Sequence, residues 1–217
     1  CIVVGDVNST LACSIVAKRM GVKVAHVEGG LRSGDLTMPE EINRIATDSI
    51  SDYFFTTSEN ASLNLINCSI STDRIFFVGN TMIDSLLKYR KNFKEPKVWR
   101  DLNLKKKNYI LLTLHRPANV DEKIKLKELI SEIIYHSRKI PIVFPAHPRT
   151  QKKLDLDSLK NSNLFIIEPL GYLEFNYLVK NSMAVITDSG GVSEETTIMN
   201  IPCMTLRNST ERPETVS

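Results

Sequence analysis

Short apolar runs rich in β-branched residues alternate along this chain with longer segments in which apolar residues recur every three or four positions. Such runs predict strands, and the longer segments predict amphipathic helices. Because the short runs are apolar on both faces, we expect parallel strands covered by helices on each side. The predicted strands cover residues 1–4, 23–27, 53–56, 75–78, 109–114, 142–145, 164–167, 184–187 and 203–206.

Helical segments fill most of the intervals between these strands. Local signals mark three of their starts: Pro39 suits the first position of a helix, Ser58 suits a cap, and Asn8 or Ser9 would cap the first helix. The predicted helices cover residues 9–20, 39–51, 60–67, 81–89, 122–137, 172–179 and 191–199.

One segment interrupts the alternation. Residues 91–104 are charged, contain Pro96 and have no clear period, which predicts a linker. Two strand–helix units joined by a linker predict two Rossmann-like domains, covering residues 1–92 and 93–217, with a ligand between them at the carboxyl ends of the strands. Neither the GxGxxG nor the GxxxxGK[ST] pattern occurs, which argues against a dinucleotide cofactor or a P-loop.

Composition narrows the class of protein. The chain has 217 residues, 42% hydrophobic and 24% charged, with a net charge of +3. These values are typical of a soluble protein, and the charge is too small to indicate nucleic acid or membrane partners. Cys13 and Cys203 lie in apolar surroundings and are expected to be buried thiols, which favours a cytoplasmic protein. The chain begins inside an apparent strand without methionine, so we expect a piece of a longer protein.

The strongest functional pattern is Thr187-Asp188-Ser189-Gly190-Gly191, which follows a predicted strand and opens a helix. Paired glycines allow close backbone approach, and the helix start offers free N–H groups to a phosphate. Glu195, one turn later, could accept the hydroxyl pair of a ribose. The pattern therefore predicts a site for a nucleoside diphosphate.

Carboxylates follow two neighbouring predicted strands. Asp6 comes after the first strand and Glu28 after the second, so both could face one crevice as an acid and base pair. A turn-capping aspartate and a surface-loop glutamate are the structural alternatives. Glu40 and Arg44 are four residues apart on a predicted helix, so they form either part of a site or an ordinary helix ion pair.

Two rings complete the candidate set. His115 follows the strand at 109–114 and, in a crevice with phosphates, could donate to a phosphate oxygen or protonate a leaving group. Its alternative is a loop histidine. Phe175 could stack on a base, or it could be a core aromatic residue of its helix.

Taken together, six spaced motifs resemble the non-hydrolysing UDP-N-acetylglucosamine 2-epimerases of bacteria and archaea. The resemblance runs over essentially the whole chain in the order of that family, and the motifs are HVEGGLRSGD at 26–35, MPEEINR at 38–44, VGNTMID at 78–84, LHRP at 114–117, DSGGVSEE at 188–195 and TERPET at 210–215. It implies a GT-B fold, an α/β architecture of two Rossmann-like domains with the nucleotide sugar in the cleft. It also implies that part of the first domain and a C-terminal stretch lie outside this sequence, and that the protein is a homodimer.

The resemblance further implies interconversion of UDP-N-acetylglucosamine and UDP-N-acetylmannosamine through elimination of UDP, with no metal or redox cofactor. A hydrolysing relative that releases N-acetylmannosamine, and a non-catalytic nucleotide-sugar-binding module, are the alternatives. By similarity, Asp6, Glu28 and Glu40 handle the C2 proton and His115 assists departure of the diphosphate. The residues implied to bind substrate are Arg44, His115, Phe175, Ser189, Gly190, Gly191 and Glu195.

Overall fold

A computed structural model describes residues 1–154, 162–207 and 210 of the chain. The described residues form an α/β protein with two parallel sheets, each within its own compact unit, comprising residues 1–81 and 82–207. The predicted α/β class with two parallel sheets is therefore confirmed, while the division of the chain at residue 92 stays a prediction.

The first unit contains a four-stranded parallel sheet in the order β1-β2-β3-β4, which is also the order of the strands in the sequence. Consecutive order places the carboxyl end of each strand beside that of its sequence neighbour. Helix α1 packs against α2. The elements are β1 (Ile2–Val4), α1 (Asn8–Arg19), β2 (Ala25–Val27), α2 (Pro39–Ile50), β3 (Tyr53–Thr56), α3 (Glu59–Asn67) and β4 (Ile75–Phe77).

The second unit contains a five-stranded parallel sheet in the order β7-β6-β5-β8-β9. The order of strands reverses between β5 and β8, which is the switch point where open α/β sheets bind ligands. The elements are α4 (Thr81–Tyr89), α5 (Lys97–Asp101), β5 (Ile110–Thr113), α6 (Pro117–Val120), α7 (Lys123–His136), β6 (Ile142–Pro145), α8 (Pro148–Gln151), β7 (Leu164–Ile167), α9 (Tyr172–Asn181), β8 (Ala184–Thr187), α10 (Gly190–Met199) and β9 (Cys203–Thr205).

The segment predicted as a linker is part of this second unit. It contains the short helix α5, and Trp99 packs edge-on against both Tyr109 and Tyr177. Leu104 is buried in the same core, as is Leu86 of α4. The sequence of this charged segment resembles a linker because its few apolar residues are too sparse to show a helical or strand period.

Two helix starts are as predicted and one differs. Pro39 occupies the first turn of α2, and the Ser58 hydroxyl accepts a hydrogen bond from the Ala61 N–H at the start of α3. At α1, however, the cap position is Val7, which makes no side-chain cap. Asn8 is already helical, and its side-chain oxygen accepts instead from Asn43 of α2 over 2.9 Å.

The two cysteines expected to be buried are both exposed. The buried positions of α1 are Thr10, Ser14 and Ala17, so Cys13 is rotated away from that face. Cys203 lies on β9, whose three residues are all exposed. Across the described part of the chain, no helix has the length and apolar character that crossing a membrane requires.

Candidate functional site

In the first unit, Arg44 joins the mouth of β1 to helix α2. Its buried guanidinium donates to Asp6 Oδ2 over 2.6 Å and to Glu41 Oε2 over 2.9 Å. Glu41 also accepts the N–H groups of Ser33 and Gly34. Burial alone would raise the pKa of Glu41, but these hydrogen bonds lower it below its ordinary value. The anionic Glu41 therefore holds the Arg44 cation against Asp6.

The ordinary helix ion pair between Glu40 and Arg44, one of the two alternatives that their spacing offered, is replaced by this arrangement. Glu41 is buried, whereas Glu40 is exposed. Glu41 and Arg44 share the buried face of α2 because residues three apart are neighbours on a helix, and Glu40 is rotated outward by one position. Glu40 is thereby left facing solvent rather than neutralising Arg44.

Asp6 and Glu40 nevertheless come together at one open cavity of about 480 Å³. The strand mouth supplies Asp6, and the first turn of α2 supplies Glu40, which is also the turn where the helix dipole favours a carboxylate. The cavity thus brings together two of the three predicted proton-transfer groups. Its lining consists of Asp6, Val7, Asn8, Ser9, Pro39, Glu40 and Asn43.

Glu28, the third predicted proton-transfer group, occupies the mouth of β2 in a rare backbone conformation. Its φ is +68°, in the left-handed region that a glutamate seldom adopts. The backbone is fixed there by a hydrogen bond from the Glu28 N–H to the Phe55 carbonyl, 2.9 Å long. Glu28 Oε2 lies 4.0 Å from the position that a Cβ would take on Gly5. Backbone strain of this kind, at a residue whose carboxylate reaches the neighbouring strand mouth, is typical of functional sites.

Beneath these mouths lies a buried polar pair that the sequence patterns did not identify. His26 Nδ1 lies 2.7 Å from Asp48 Oδ1, and its Nε2 lies 2.9 Å from the Gly5 carbonyl oxygen. Asp48 Oδ2 accepts the Gly30 N–H at 3.1 Å and pairs with Arg32 at 2.7 Å. The pair therefore ties the loops after β1 and β2 together. In the sequence, this pair is indicated only by a histidine, His26, within a predicted strand that is followed by a polar residue.

In the second unit, the loops after β5 and β8 lie side by side because these strands pair directly. Thr113 and Thr187, the last residues of the two strands, are joined by a hydrogen bond of 2.7 Å between their hydroxyls. His115 lies in the loop after β5, and Ser189 lies in the loop after β8. The sheet thus unites two predicted site residues that are far apart in sequence, at the switch point of the fold.

Asp188 connects these two loops and was not among the predicted site residues. It is completely buried, and its Oδ1 lies 2.8 Å from Nδ1 of His115. It also accepts the N–H groups of His115 and Arg116 and the side-chain amide of Asn119. Burial acts to raise the pKa of Asp188, but the hydrogen bonds from His115, Asn119 and Arg116 lower it overall.

The start of α10 has the form predicted for an anion cradle. Ser189 occupies the cap position, and its hydroxyl accepts the Val192 N–H at 3.4 Å. The first N–H groups of a helix have no partner within the helix. Those of Gly190 and Gly191 are therefore positioned to receive an anion, and the dipole of α10 adds to the attraction.

Further along α10, Glu195 is buried and accepts a hydrogen bond of 3.0 Å from the Tyr172 hydroxyl. Burial raises the pKa of Glu195 above its ordinary value. Burial, together with the Glu195 carboxylate, raises the pKa of Tyr172 to about 12. Phe175 on α9 is half-buried and packs against the core, so its role beside a base stays a prediction.

The last predicted motif lies almost entirely outside the described residues, which include only Thr210 of it. Each unit by itself thus presents polar groups at the carboxyl ends of its parallel strands: carboxylates in the first unit and an anion cradle with a histidine in the second.

Comparison with known proteins identifies the family. The family described as UDP-N-acetylglucosamine 2-epimerase matches residues 1–217. The chain is 47% identical over 225 residues to a UDP-N-acetylglucosamine 2-epimerase homolog of Methanococcus maripaludis, covering 99% of this chain and 61% of that protein. It is 39% identical to a UDP-2,3-diacetamido-2,3-dideoxy-D-glucuronate 2-epimerase of Pseudomonas aeruginosa, covering 100% of this chain and 60% of that protein.

A solved structure agrees with these relatives. The UDP-GlcNAc 2-epimerase of Methanocaldococcus jannaschii, crystallised in complex with UDP-GlcNAc and UDP, is 48% identical with a TM-score of 0.86, and the match covers 99% of this chain and 62% of that one. The chain therefore belongs to the UDP-N-acetylglucosamine 2-epimerase family, and the expected GT-B fold class is confirmed. It spans about three fifths of the length of the curated relatives it matches.

Proposed function

We propose that the protein containing this chain is a non-hydrolysing UDP-N-acetylglucosamine 2-epimerase, which interconverts UDP-N-acetylglucosamine and UDP-N-acetylmannosamine. The observation that carries the proposal is the meeting of Asp6 and Glu40 at one cavity, with the buried Arg44 bonded to Asp6. Membership of the family and the similar chain crystallised with UDP-GlcNAc support the same substrate. The proposal includes a homodimer in the cytoplasm.

The carboxylates of the first unit suit the proton transfers at C2. One carboxylate removes the C2 proton, the C–H electron pair forms the C1–C2 double bond, and the C1–O pair leaves with UDP. The bound glycal then takes UDP back at C1 while C2 receives a proton on its other face. Because the two faces need separate groups, Asp6, Glu28 and Glu40 share these transfers. The strained backbone of Glu28 supports its place among them.

The second unit suits the nucleotide. The first turn of α10, with Ser189, Gly190 and Gly191, offers N–H groups to the diphosphate, whose charge grows as the C1–O bond breaks. His115 donates a proton or hydrogen bond to the departing phosphate oxygen. Glu195 accepts the ribose hydroxyls, and Phe175 lies beside the uracil.

Proton NMR of UDP-N-acetylglucosamine incubated with the full-length protein in deuterated water tests this proposal. Deuterium at C2 together with UDP-N-acetylmannosamine is the expected result. Free N-acetylmannosamine as the main product would identify a hydrolysing enzyme instead. UDP binding without exchange at C2 would identify a nucleotide-sugar-binding module.

The Pseudomonas relative suggests a parallel measurement with UDP-2,3-diacetamido-2,3-dideoxy-D-glucuronate. We expect a much lower kcat/KM for this sugar, because the UDP-N-acetylglucosamine 2-epimerases of Methanococcus maripaludis and Methanocaldococcus jannaschii are 46% and 47% identical to the chain, against 39% for the Pseudomonas enzyme. A preference for the diacetamido sugar would reassign the substrate while leaving the epimerase chemistry intact.

A further inference from the structure

We infer that Asp188 is the positioning residue of His115: it fixes the proton of the neutral imidazole on Nδ1 and reserves Nε2 for the departing diphosphate. The role of His115 in the reaction rests on the proposed function, whereas the tautomer does not. Asp188 has no assigned role in the sequence patterns, and its contacts are the basis of the inference.

The first step concerns the proton between the two side chains. Asp188 Oδ1 and His115 Nδ1 are 2.8 Å apart, so one of them carries a shared hydrogen. The carboxylate already accepts two backbone N–H groups and the amide of Asn119, and these donors favour its ionised form. An ionised carboxylate has no proton to give. The proton therefore sits on Nδ1 of His115.

The second step concerns the other ring nitrogen. The His115 side chain is 62% exposed although Asp188 is buried, so the ring is anchored at one edge and open to solvent. With Nδ1 engaged, Nε2 is the nitrogen that a ligand meets. When the ring is protonated, Nε2–H donates to a phosphate oxygen and Asp188 stabilises the imidazolium, as carboxylates do for catalytic histidines.

The third step concerns the anion cradle. Asp188 directly precedes Ser189, the cap of α10, and also holds the backbone N–H groups of His115 and Arg116. One carboxylate therefore fixes the ring and the loop that carries it against the strand from which the cradle begins. Asn119 reinforces this link by donating to both Asp188 and the Leu206 carbonyl. The imidazole and the cradle consequently share one rigid support.

An NMR measurement on the full-length protein tests the tautomer directly. Two-bond proton–nitrogen spectra of protein labelled with nitrogen-15 histidine distinguish the two tautomers, and a His115→Gln variant assigns the signal. At a pH where the ring of His115 is neutral, we expect the tautomer with the proton on Nδ1. Free histidine favours the other tautomer, with the proton on Nε2. An Nε2–H signal in the wild-type protein would overturn the inference without any further variant.

The Asp188→Asn variant tests the consequence. An amide in place of the carboxylate points an NH₂ group at donors, so we expect the His115 signal to move toward Nε2–H and kcat to fall about 10- to 100-fold. Asp121→Asn is the matched control, because Asp121 is an exposed aspartate of the same unit that pairs with Lys153. Its tautomer signal and turnover should remain those of the wild type. An unchanged tautomer in a folded Asp188→Asn variant would contradict the inference, even if the protein proved to be an epimerase.

Discussion

The buried guanidinium of Arg44 donates to the Asp6 carboxylate across 2.6 Å, although 38 residues separate the two along the chain. This contact connects the mouth of β1 to the helix that carries Glu40. It fixes Asp6, which lines the cavity of the first unit, and it depends on the planar, forked shape of the guanidinium.

Replacing Arg44 by lysine tests that geometry. The single ammonium group cannot hold Asp6 and Glu41 at the same time as the guanidinium does, so we expect kcat to fall at least about tenfold and stability to decrease by about 1–3 kcal/mol. Steady-state kinetics and urea unfolding measure the two effects. Arg100→Lys is the control, because Arg100 is exposed and pairs with Glu95 at the surface. Equal effects at the two arginines would contradict the proposed importance of the fork.

The proton-transfer groups can be tested by isosteric changes. We expect Asp6→Asn, Glu28→Gln and Glu40→Gln each to lower turnover by about 100-fold or more, because an amide cannot accept the C2 proton. Binding of UDP, measured by titration calorimetry, should be largely retained. Glu132→Gln, on the exposed surface of α7, should leave turnover unchanged. Near-normal turnover in all three variants would show that other groups transfer the proton.

The raised pKa of Glu195 has a consequence for stability. A carboxyl whose pKa is higher in the folded state binds more protons when folded, so its contribution to stability decreases as pH rises from its unfolded value through its folded one. Glu195→Gln removes this dependence. We therefore expect the variant to gain stability relative to the wild type at pH 7, with little gain below pH 4, and to bind UDP more weakly.

Urea unfolding of the wild type and the Glu195→Gln variant across this pH range measures the gain. Glu174→Gln, on α9 of the same unit, serves as the comparison. A variant that lost stability at pH 7 would mean that the hydrogen bond from Tyr172 outweighs the burial of the charge.

Alanine substitutions at two glycines distinguish the cost of a steric clash from the cost of backbone strain. Gly30 and Gly34 both have positive φ, at +83° and +73°, but a Cβ on Gly30 would lie 2.2 Å from the Ala61 carbonyl oxygen, whereas one on Gly34 would meet no atom within 4 Å. We expect Gly34→Ala to cost about 1–2 kcal/mol from strain alone. Gly30→Ala should cost about 3 kcal/mol or more, because the clash involves backbone. Equal losses in thermal or urea unfolding would show that strain alone decides both.

The sequence by itself determined the alternation of strands and helices, and with it the parallel sheets. Of the nine strands in the described residues, β3, β6, β7 and β8 have the predicted bounds, and the other five differ from their predictions by at most two residues at an end. They could be located because a buried parallel strand is apolar on both faces and leaves a distinct run. Polar residues that follow such runs, such as Asp6, His115 and Ser189, could be found for the same reason. The motifs then pointed to the family.

Only the tertiary structure decided which side chains meet. Periodicity does not reveal that β5 pairs with β8, and this pairing brings Asp188 to His115 across 73 positions. Nor does helical spacing show which way α2 faces, so Glu40 rather than Glu41 was paired with Arg44. Hydrogen bonds at these positions depend on the order of strands and the rotation of a helix about its axis, and both are settled by packing the whole core rather than by any local run of residues.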